Sequence, residues 1–231
     1  MTGDSRSAAA LARNDRYLRE FVETFNLCPY AKRTRESGAL HREVILVPGG
    51  VPGSAAFDTT VTALDAAMAD VELRPAGSVD VALLILPALV PELSRGPDGA
   101  SAFVQLVTRA RERMQARHAG DDAPFYCVAF HPDFVEDLKD EHRAVRFIRR
   151  SPDPTVQLVR ASVLRSVRGG GASDYVDTTG LTPAELLAVT APLSVSDRIG
   201  RANLRTLREA GPGKLRDILA EFHACGRETD A

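Results

Sequence analysis

Cys28 is the residue whose type and setting offer the widest chemistry, and it lies in a predicted turn at residues 26–32. Pro29 suits the first position of a helical turn, so Cys28 would take the cap position, where free backbone amides point toward its sulfur. These amides and the nearby Lys32 would favour a thiolate. A thiolate can serve as a nucleophile, a redox centre or a metal ligand. The alternative is a buried cysteine that packs as a small hydrophobic residue.

His131 directly follows an apolar run at residues 125–130, which is predicted to be a β-strand. In open α/β sheets, ligands bind at the carboxyl ends of the strands. A histidine there can be a general base, a metal ligand or a loop cap, and Asp133 could orient its ring. The alternative is a loop histidine without a chemical role.

Arginines near residue 150 could hold an anion. Arg149, Arg150 and Ser151 lead into Asp153 and Pro154, a cap and first-residue pair that predicts a helix start. Guanidinium groups, a hydroxyl and helix-terminal amides together could bind a carboxylate or a phosphate. Arg160 lies beside the apolar stripe of this predicted helix, so it needs either an anionic ligand or an internal carboxylate as its partner.

Elements of an α/β fold surround these residues. Apolar spacing predicts helices at residues 14–25, 54–71 and 103–114, and strands at 43–47, 79–86 and 125–130. Strands separated by helices of this length usually run parallel, joined by right-handed crossovers. We therefore predict a small, mostly parallel sheet of three or four strands with helices on both faces. A ferredoxin-like antiparallel arrangement is the alternative.

The rest of the chain is predicted to be mainly helical. Residues 145–148 are predicted as a short edge strand, and the helix from residue 153 carries Val156, Val159, Val163 and Val167. Three consecutive glycines at 169–171 predict a linker, followed by helices near residues 182, 197–209 and 214–224. We therefore divide the chain into an α/β domain (residues 1–168) and a Gly-linked helical C-terminal extension (residues 169–231) packed on it.

Composition narrows the classes of function. The chain has 231 residues and a formal net charge of −2, so no basic excess suggests a nucleic-acid partner. No apolar run reaches the roughly 20 residues that cross a bilayer, and residues 1–14 lack the pattern of a secretory signal. Three cysteines without regular spacing favour reduced thiols. We expect a cytoplasmic protein without nucleic-acid or membrane partners; its cofactors and oligomeric state stay open.

Three motifs in this order resemble those of a bacterial family, the domain of unknown function 1415: NLCPYAK at residues 26–32, FHPDF at 130–134, and RSPDP at 150–154 with LVRAS at 158–162. The similarity runs over about residues 17–164. A tyrosine and a histidine of the family's third motif are Asp153 and Gln157 here. The resemblance implies that Cys28, His131, Arg150 and Arg160 belong together, and it implies no established reaction.

Three hypotheses remain, and the first is favoured because helices and strands do not require these motifs. In the first, an enzyme acts on a small anionic molecule, with Cys28 as nucleophile or redox thiol and His131 as acid or base. Its substrate would be held by Lys32, Arg150, Ser151 and Arg160. In the second, Cys28 and His131 bind haem or a metal, although two ligands are too few for a closed zinc site. In the third, a non-catalytic binding or assembly protein buries Cys28, caps a loop with His131 and ion-pairs Arg160.

Overall fold

The computed structural model describes residues 3–28, 30–118, 123–135, 137–163 and 195–227. Its helices are α1 (Gly3–Arg16), which continues into a π-helix (Tyr17–Glu23), α2 (Ala31–Glu36), α3 (Ala55–Glu72), α4 (Pro91–Ser94), α5 (Gly96–Arg117), α6 (Glu141–Ile148), α7 (Val195–Ala210) and α8 (Pro212–Arg227). Its strands are β1 (Leu40–Val44), β2 (Val81–Ile85), β3 (Phe125–Phe130) and β4 (Thr155–Arg160).

The four strands form one sheet in the order β1-β2-β4-β3. β1 and β2 are parallel, and β4 lies antiparallel between β2 and β3. β3 therefore points the same way as β1 and β2, as the right-handed crossovers predict. The α/β class, with helices at the C-terminal end, is confirmed. The sheet is mixed rather than mostly parallel, because β4 separates β2 from β3 and pairs with both.

In this region the prediction has the two element types the wrong way round: it gives a strand followed by a helix, and the structure has a helix followed by a strand. Residues 145–148 lie in α6 instead of a strand, and Thr155–Arg160 is β4 instead of a helix. Asp140 caps α6 by accepting a hydrogen bond from the Arg143 amide at 2.9 Å. Side chains of β4 enter both cores, Val156 on one face of the sheet and Val159 on the other. Val156, Val159 and Val163 recur at helical spacing after a pair, Asp153-Pro154, that also suits a helix start, which explains the error.

Helices cover both faces of the sheet. α3, α4 and α5 pack on one face, and the predicted apolar stripes of α3 and α5 are buried there. Ser54 caps α3 as predicted, accepting a hydrogen bond from the Phe57 amide at 3.1 Å. The predicted first helix starts earlier, at Gly3, and β1 lies three residues before its predicted position.

The second core lies on the opposite face, under α1, the π-helix, α6, α7 and α8. Leu207 of α7 and Phe222 of α8 are buried there together with Tyr17 and Phe21. Residues 164–194 lie outside the described residues, so the glycine linker, the helix near residue 182 and the boundary at 168/169 stay predictions. Among the described helices, none combines the length and apolar character that a membrane span needs.

Candidate functional site

A cavity of about 240 Å³ lies between the sheet and the helices of the second core. Side chains from β2, β3 and β4 form its floor, among them Val81, Val128 and Gln157. Its walls come from the π-helix, the turn after it, the end of α6 and α7, and include Tyr17, Cys28, Tyr30, Ile148, Arg149 and Asn203. We call this cavity the outer chamber. It lies over one face of the sheet, whereas the sequence predicts a site at the carboxyl ends of the strands.

A second cavity of about 50 Å³, the inner chamber, adjoins the outer one. Both are lined by Tyr17, Cys28 and Gln157. The inner chamber continues to Asn14 of α1 and to Ser151 and Thr155 at the start of β4, and its remaining lining is mainly apolar. Together the chambers bring Cys28 and Ser151, two of the predicted site residues, to one place.

The π-helix and the turn after it position Cys28. The amide of Leu27 donates to the Val22 carbonyl at 2.9 Å, a five-residue spacing that extends the wide turns of the π-helix. Asn26 then adopts a φ of 48°, a left-handed conformation that asparagine tolerates better than most residues. This reversal ends the helix and points the Cys28 side chain at the chambers.

The thiol of Cys28 is held neutral. Burial raises the pKa of this thiol, and backbone hydrogen bonds from Tyr30 and Ala31 lower the pKa by a smaller amount. The predicted amides are therefore present, but burial outweighs them, and a favoured thiolate does not result. Lys32 does not change this balance, because its side chain is exposed on α2 and lines neither chamber.

Arg149 is the cation of the outer chamber, and it is one of the two adjacent arginines that the sequence predicts to hold an anion. Burial lowers the pKa of its half-buried guanidinium, and the nearby Arg146 lowers it further. Within the described part of the chain, no hydrogen bond or ion pair holds this guanidinium. The Tyr17 hydroxyl beside it donates to the Ile148 carbonyl at 2.8 Å, and burial raises the pKa of Tyr17, so the phenol is neutral.

Two buried asparagines add polar atoms that have no hydrogen-bond partner among the described residues. Asn203 Nδ2 lies in the lining of the outer chamber and Asn14 Oδ1 in that of the inner one, and each residue is only 3% exposed. Gln157 faces both chambers from the middle of β4. No carboxylate belongs to the described lining of either chamber. Buried polar groups are rarely left unsatisfied in folded proteins, so a bound molecule would complete this set.

His131 is outside both chambers and is fully buried. Its Nδ1 accepts a hydrogen bond from the Asp133 amide at 3.1 Å, so its Nε2 carries the proton and donates to the Leu93 carbonyl at 3.1 Å. Burial lowers the pKa of His131 to about 4. Because both ring nitrogens bond to the backbone, the predicted pairing of Cys28 with His131 is not formed. His131 instead caps the loop after β3.

Arg150 and Arg160 also bond to the backbone. Arg150 Nε donates to the Pro132 carbonyl at 3.1 Å, and Arg160 Nε donates to the Val79 carbonyl at 2.6 Å. The Arg160 guanidinium also lies 4.5 Å from the centre of the Phe125 ring. Val159 lines the outer chamber, and side chains alternate along a strand, so the next residue, Arg160, faces the opposite side of the sheet and does not join the chambers.

Asp153 binds Arg13 instead of capping a helix. The Arg13 Nε–Asp153 Oδ2 distance is 3.1 Å and the Arg13 Nη2–Asp153 Oδ1 distance is 2.9 Å, a bidentate pair with little exposure. The backbone carbonyl of Asp153 accepts from the hydroxyls of Ser151 and Thr155 at 2.6 and 2.8 Å. This network fixes the turn that brings β4 under α1.

A metal centre finds little support in the described side chains. No cluster of three or more His, Cys, Asp or Glu residues occurs among them. Cys28 and His131, the two ligands of the haem hypothesis, do not line a common cavity. The structure therefore assembles Cys28 with amides, a phenol and one guanidinium.

Some of these functional candidates left a signal in the sequence. Gln157 is a polar residue in an otherwise apolar stretch, and Arg149 precedes Arg150 in the predicted anion site. Tyr17 belongs to the apolar spacing of the predicted helix at residues 14–25 and gives no separate signal. For Asn14 and Asn203, no local pattern separates them from surface residues of amphipathic helices.

The comparisons with known proteins identify a family and no activity. A sequence model described as "Protein of unknown function (DUF1415)" matches residues 9–174. That span covers the whole sheet, Cys28 and Arg149, while Asn203 lies beyond it. No curated protein and no solved structure matches the chain.

Proposed function

The chain belongs to the DUF1415 family, and we propose that its two chambers bind a small organic anion. One observation carries this proposal: Arg149 is a half-buried cation without a described partner, in a lining that holds no described carboxylate. An unpaired charge in a partly desolvated site is costly, and an anionic ligand would remove that cost. The sequence also predicts a small anionic ligand, with Arg150 and Arg160 among the residues that bind it. We propose that Arg149 binds the anion in their place.

The chambers limit the size and polarity of the ligand. About 240 Å³ is below the 300–1,000 Å³ typical of sites for drug-sized molecules, so a small metabolite fits better. Its anionic group would lie at Arg149, where the Asn203 amide adds a donor. The opposite end would enter the mainly apolar inner chamber, where Asn14 Oδ1 offers an acceptor to a hydroxyl or amine. A short carboxylate with a hydrogen-bond donor at its far end meets these requirements.

Replacement of Arg149 tests the proposal. The full-length protein is screened by thermal shift against small mono- and dicarboxylates and phosphate esters, and the compounds that stabilise it are titrated by calorimetry. Arg149→Met keeps most of the apolar stem and removes the charge. A charge-assisted hydrogen bond contributes about 1.5–3 kcal/mol, so the affinity should fall about 10- to 150-fold.

Arg150→Met is the matched control, because Arg150 is the neighbouring arginine and bonds to the Pro132 carbonyl. This variant should retain the wild-type affinity. If no anion stabilises the protein, or if Arg150→Met loses affinity while Arg149→Met keeps it, the assignment of the anion to Arg149 is wrong.

A second candidate is an enzyme in which Cys28 attacks the bound molecule. The observation in its favour is that backbone amides donate to the Cys28 sulfur and lower its pKa against the effect of burial. The described lining contains no histidine or carboxylate, so the thiol proton would pass to the ligand itself. The sulfur would add to an electrophilic carbon of the ligand, such as a carbonyl carbon: the carbon–oxygen π bond would open as the S–C bond forms, the carbonyl oxygen would take the thiol proton, and no group would leave.

Mass spectrometry tests this second candidate. Without ligand, Cys28 should react with iodoacetamide more slowly at pH 7 than a free peptide thiol, because burial raises the pKa of the thiol. With a ligand from the screen, the wild-type protein should gain one ligand mass and Cys28→Ser should not. Cys127, whose pKa burial raises to about 12, is an internal control that should stay unlabelled. A wild-type protein that never forms the adduct acts as a binder only.

The cellular location follows from the same thiols. Cys28 and Cys127 are both free and half-buried. We place the protein in the cytosol, where thiols stay reduced.

A further inference from the structure

β3 is an outer strand of the sheet. It pairs with β4 on one side, and on its other side no described strand follows. Residues 127–129 border an open groove of about 590 Å³ along this free side. The opposite wall includes Val104 of α5 and Val135, which are 40% and 53% exposed. An open strand edge beside apolar side chains can accept an extended peptide as an additional strand.

Three arginines line the same groove: Arg111 of α5, Arg146 of α6 and Arg149. None of their guanidinium groups makes a hydrogen bond or an ion pair with a described residue, and no carboxylate lies in the described lining. Other arginines of α5 do have such contacts. Arg117, for example, binds Asp65 and Glu72, whereas Arg113 donates to the Thr62 hydroxyl at 3.0 Å. On α5, the arginine without a described partner is therefore the one at the open strand edge.

The arginines stand on both faces of the sheet. Arg111 comes from the α5 layer and Arg146 from the α6 layer on the other face. Side chains of an extended chain beside β3 would alternate between these layers, so acidic residues at neighbouring positions would each meet an arginine. A second copy of this protein is a poorer occupant, because pairing β3 with β3 would bring the arginines of both copies together.

We propose that the free edge of β3 binds an extended acidic segment of a partner protein by strand addition. The six residues of β3 span about 20 Å, so a segment of similar length would pair along the whole edge. The main chain of the segment would bond to β3, and its carboxylates would bind Arg111 and Arg146. This site shares Arg149 with the outer chamber, but the acidic segment would be held by Arg111 and Arg146, which line neither chamber.

Peptide binding to the full-length protein tests the proposal. The probe is a short fluorescein-labelled peptide with glutamates on both faces of its extended form, and its affinity is measured by fluorescence anisotropy at low salt. The same peptide with alternate backbone amides methylated keeps its charge and cannot form the ladder, so it should bind at least about tenfold more weakly. Arg111→Glu and Arg146→Glu should each weaken binding of the unmodified peptide about fivefold.

Arg113→Glu is the matched control, since it lies on the same helix but points at Thr62 of α3. Its affinity should equal that of the wild type. Equal binding of the methylated peptide would mean charge attraction without strand addition and would overturn the proposal. Hydrogen exchange of residues 125–130 in the free protein is a second check. If the outward-facing amides are already protected, the edge is covered by the chain itself or by a second copy, and the proposal fails.

Discussion

Acidification should destabilise the protein through His131. This ring is fully buried, and its two nitrogens bond to the Asp133 amide and the Leu93 carbonyl. Protonation of Nδ1 would break its hydrogen bond with the Asp133 amide, because two N–H groups would then face each other. Burial and this arrangement favour the neutral ring in the folded state, and the pKa of His131 is lowered to about 4.

The size and sign of the effect follow from the two pKa values of His131. In the unfolded chain its pKa is about 6.5, so between pH 6.5 and 4 the unfolded state binds a proton that the folded state does not. The free energy of unfolding must therefore fall as the pH falls through this window. The 2.5-unit difference corresponds to about 3 kcal/mol, fully present above pH 6.5 and lost near pH 4.

Urea unfolding at several pH values between 7.5 and 4.5 measures this loss, with His131→Gln as the comparison. Glutamine can donate and accept hydrogen bonds at the same place but does not titrate, so its stability should depend less on pH. Carboxylates such as Glu23, whose pKa is lowered by Arg35, titrate in both proteins and cancel in the difference. Parallel pH profiles, or an imidazole pKa near 6.5 by NMR, would refute the reasoning. The second result would also return His131 to the candidates for general base.

Two further predictions concern buried arginines. Asp153→Ala removes the bidentate carboxylate partner of the buried Arg13 and should lower the free energy of unfolding by about 3–5 kcal/mol in urea denaturation. The double variant Arg13→Met with Asp153→Leu should recover much of that loss, and a single-variant cost below about 1 kcal/mol would contradict the buried pair. Arg160→Met leaves the Val79 carbonyl without its donor and should cost about 1–3 kcal/mol. Its affinity for anions found in the screen should be unchanged, and a loss like that of Arg149→Met would put Arg160 back in the site.

The layered part of the fold was predictable because local patterns agree with the tertiary structure there. α3 has a cap at Ser54 and an apolar stripe that meets one core, and β3 has the predicted bounds. α6 and β4 were not predictable in the same way. β4 is only six residues long, and its valines continue at helical spacing to Val163 and Val167, so the pattern favours a helix over a strand.

The candidate site was predicted only in part, because side-chain direction decides it. The side chains of the adjacent Arg149 and Arg150 point in different directions because of the turn at the end of α6. Arg149 lines the outer chamber, and Arg150 bonds to the Pro132 carbonyl. The same holds for β3, where Phe130 faces the chambers and His131 points away. Motifs in the sequence marked the correct segments, but only the fold shows which member of each pair reaches the site.

The position of β4 has a consequence for how the protein is made. β4 is the last of the described strands in sequence order, yet it lies between β2 and β3. During synthesis β1 and β2 can pair early, but β3 has no neighbour until the chain has been extended past Arg160. β3 and β4 are closer to each other in sequence than either is to β2, so they can pair first. The pair then docks on β2, from which the longer segment with α4 and α5 separates it. All residues of β2 are buried in the folded protein, but until β4 docks, the edge of β2 that β4 will pair with is exposed. A nascent chain is therefore most prone to aggregation during this interval.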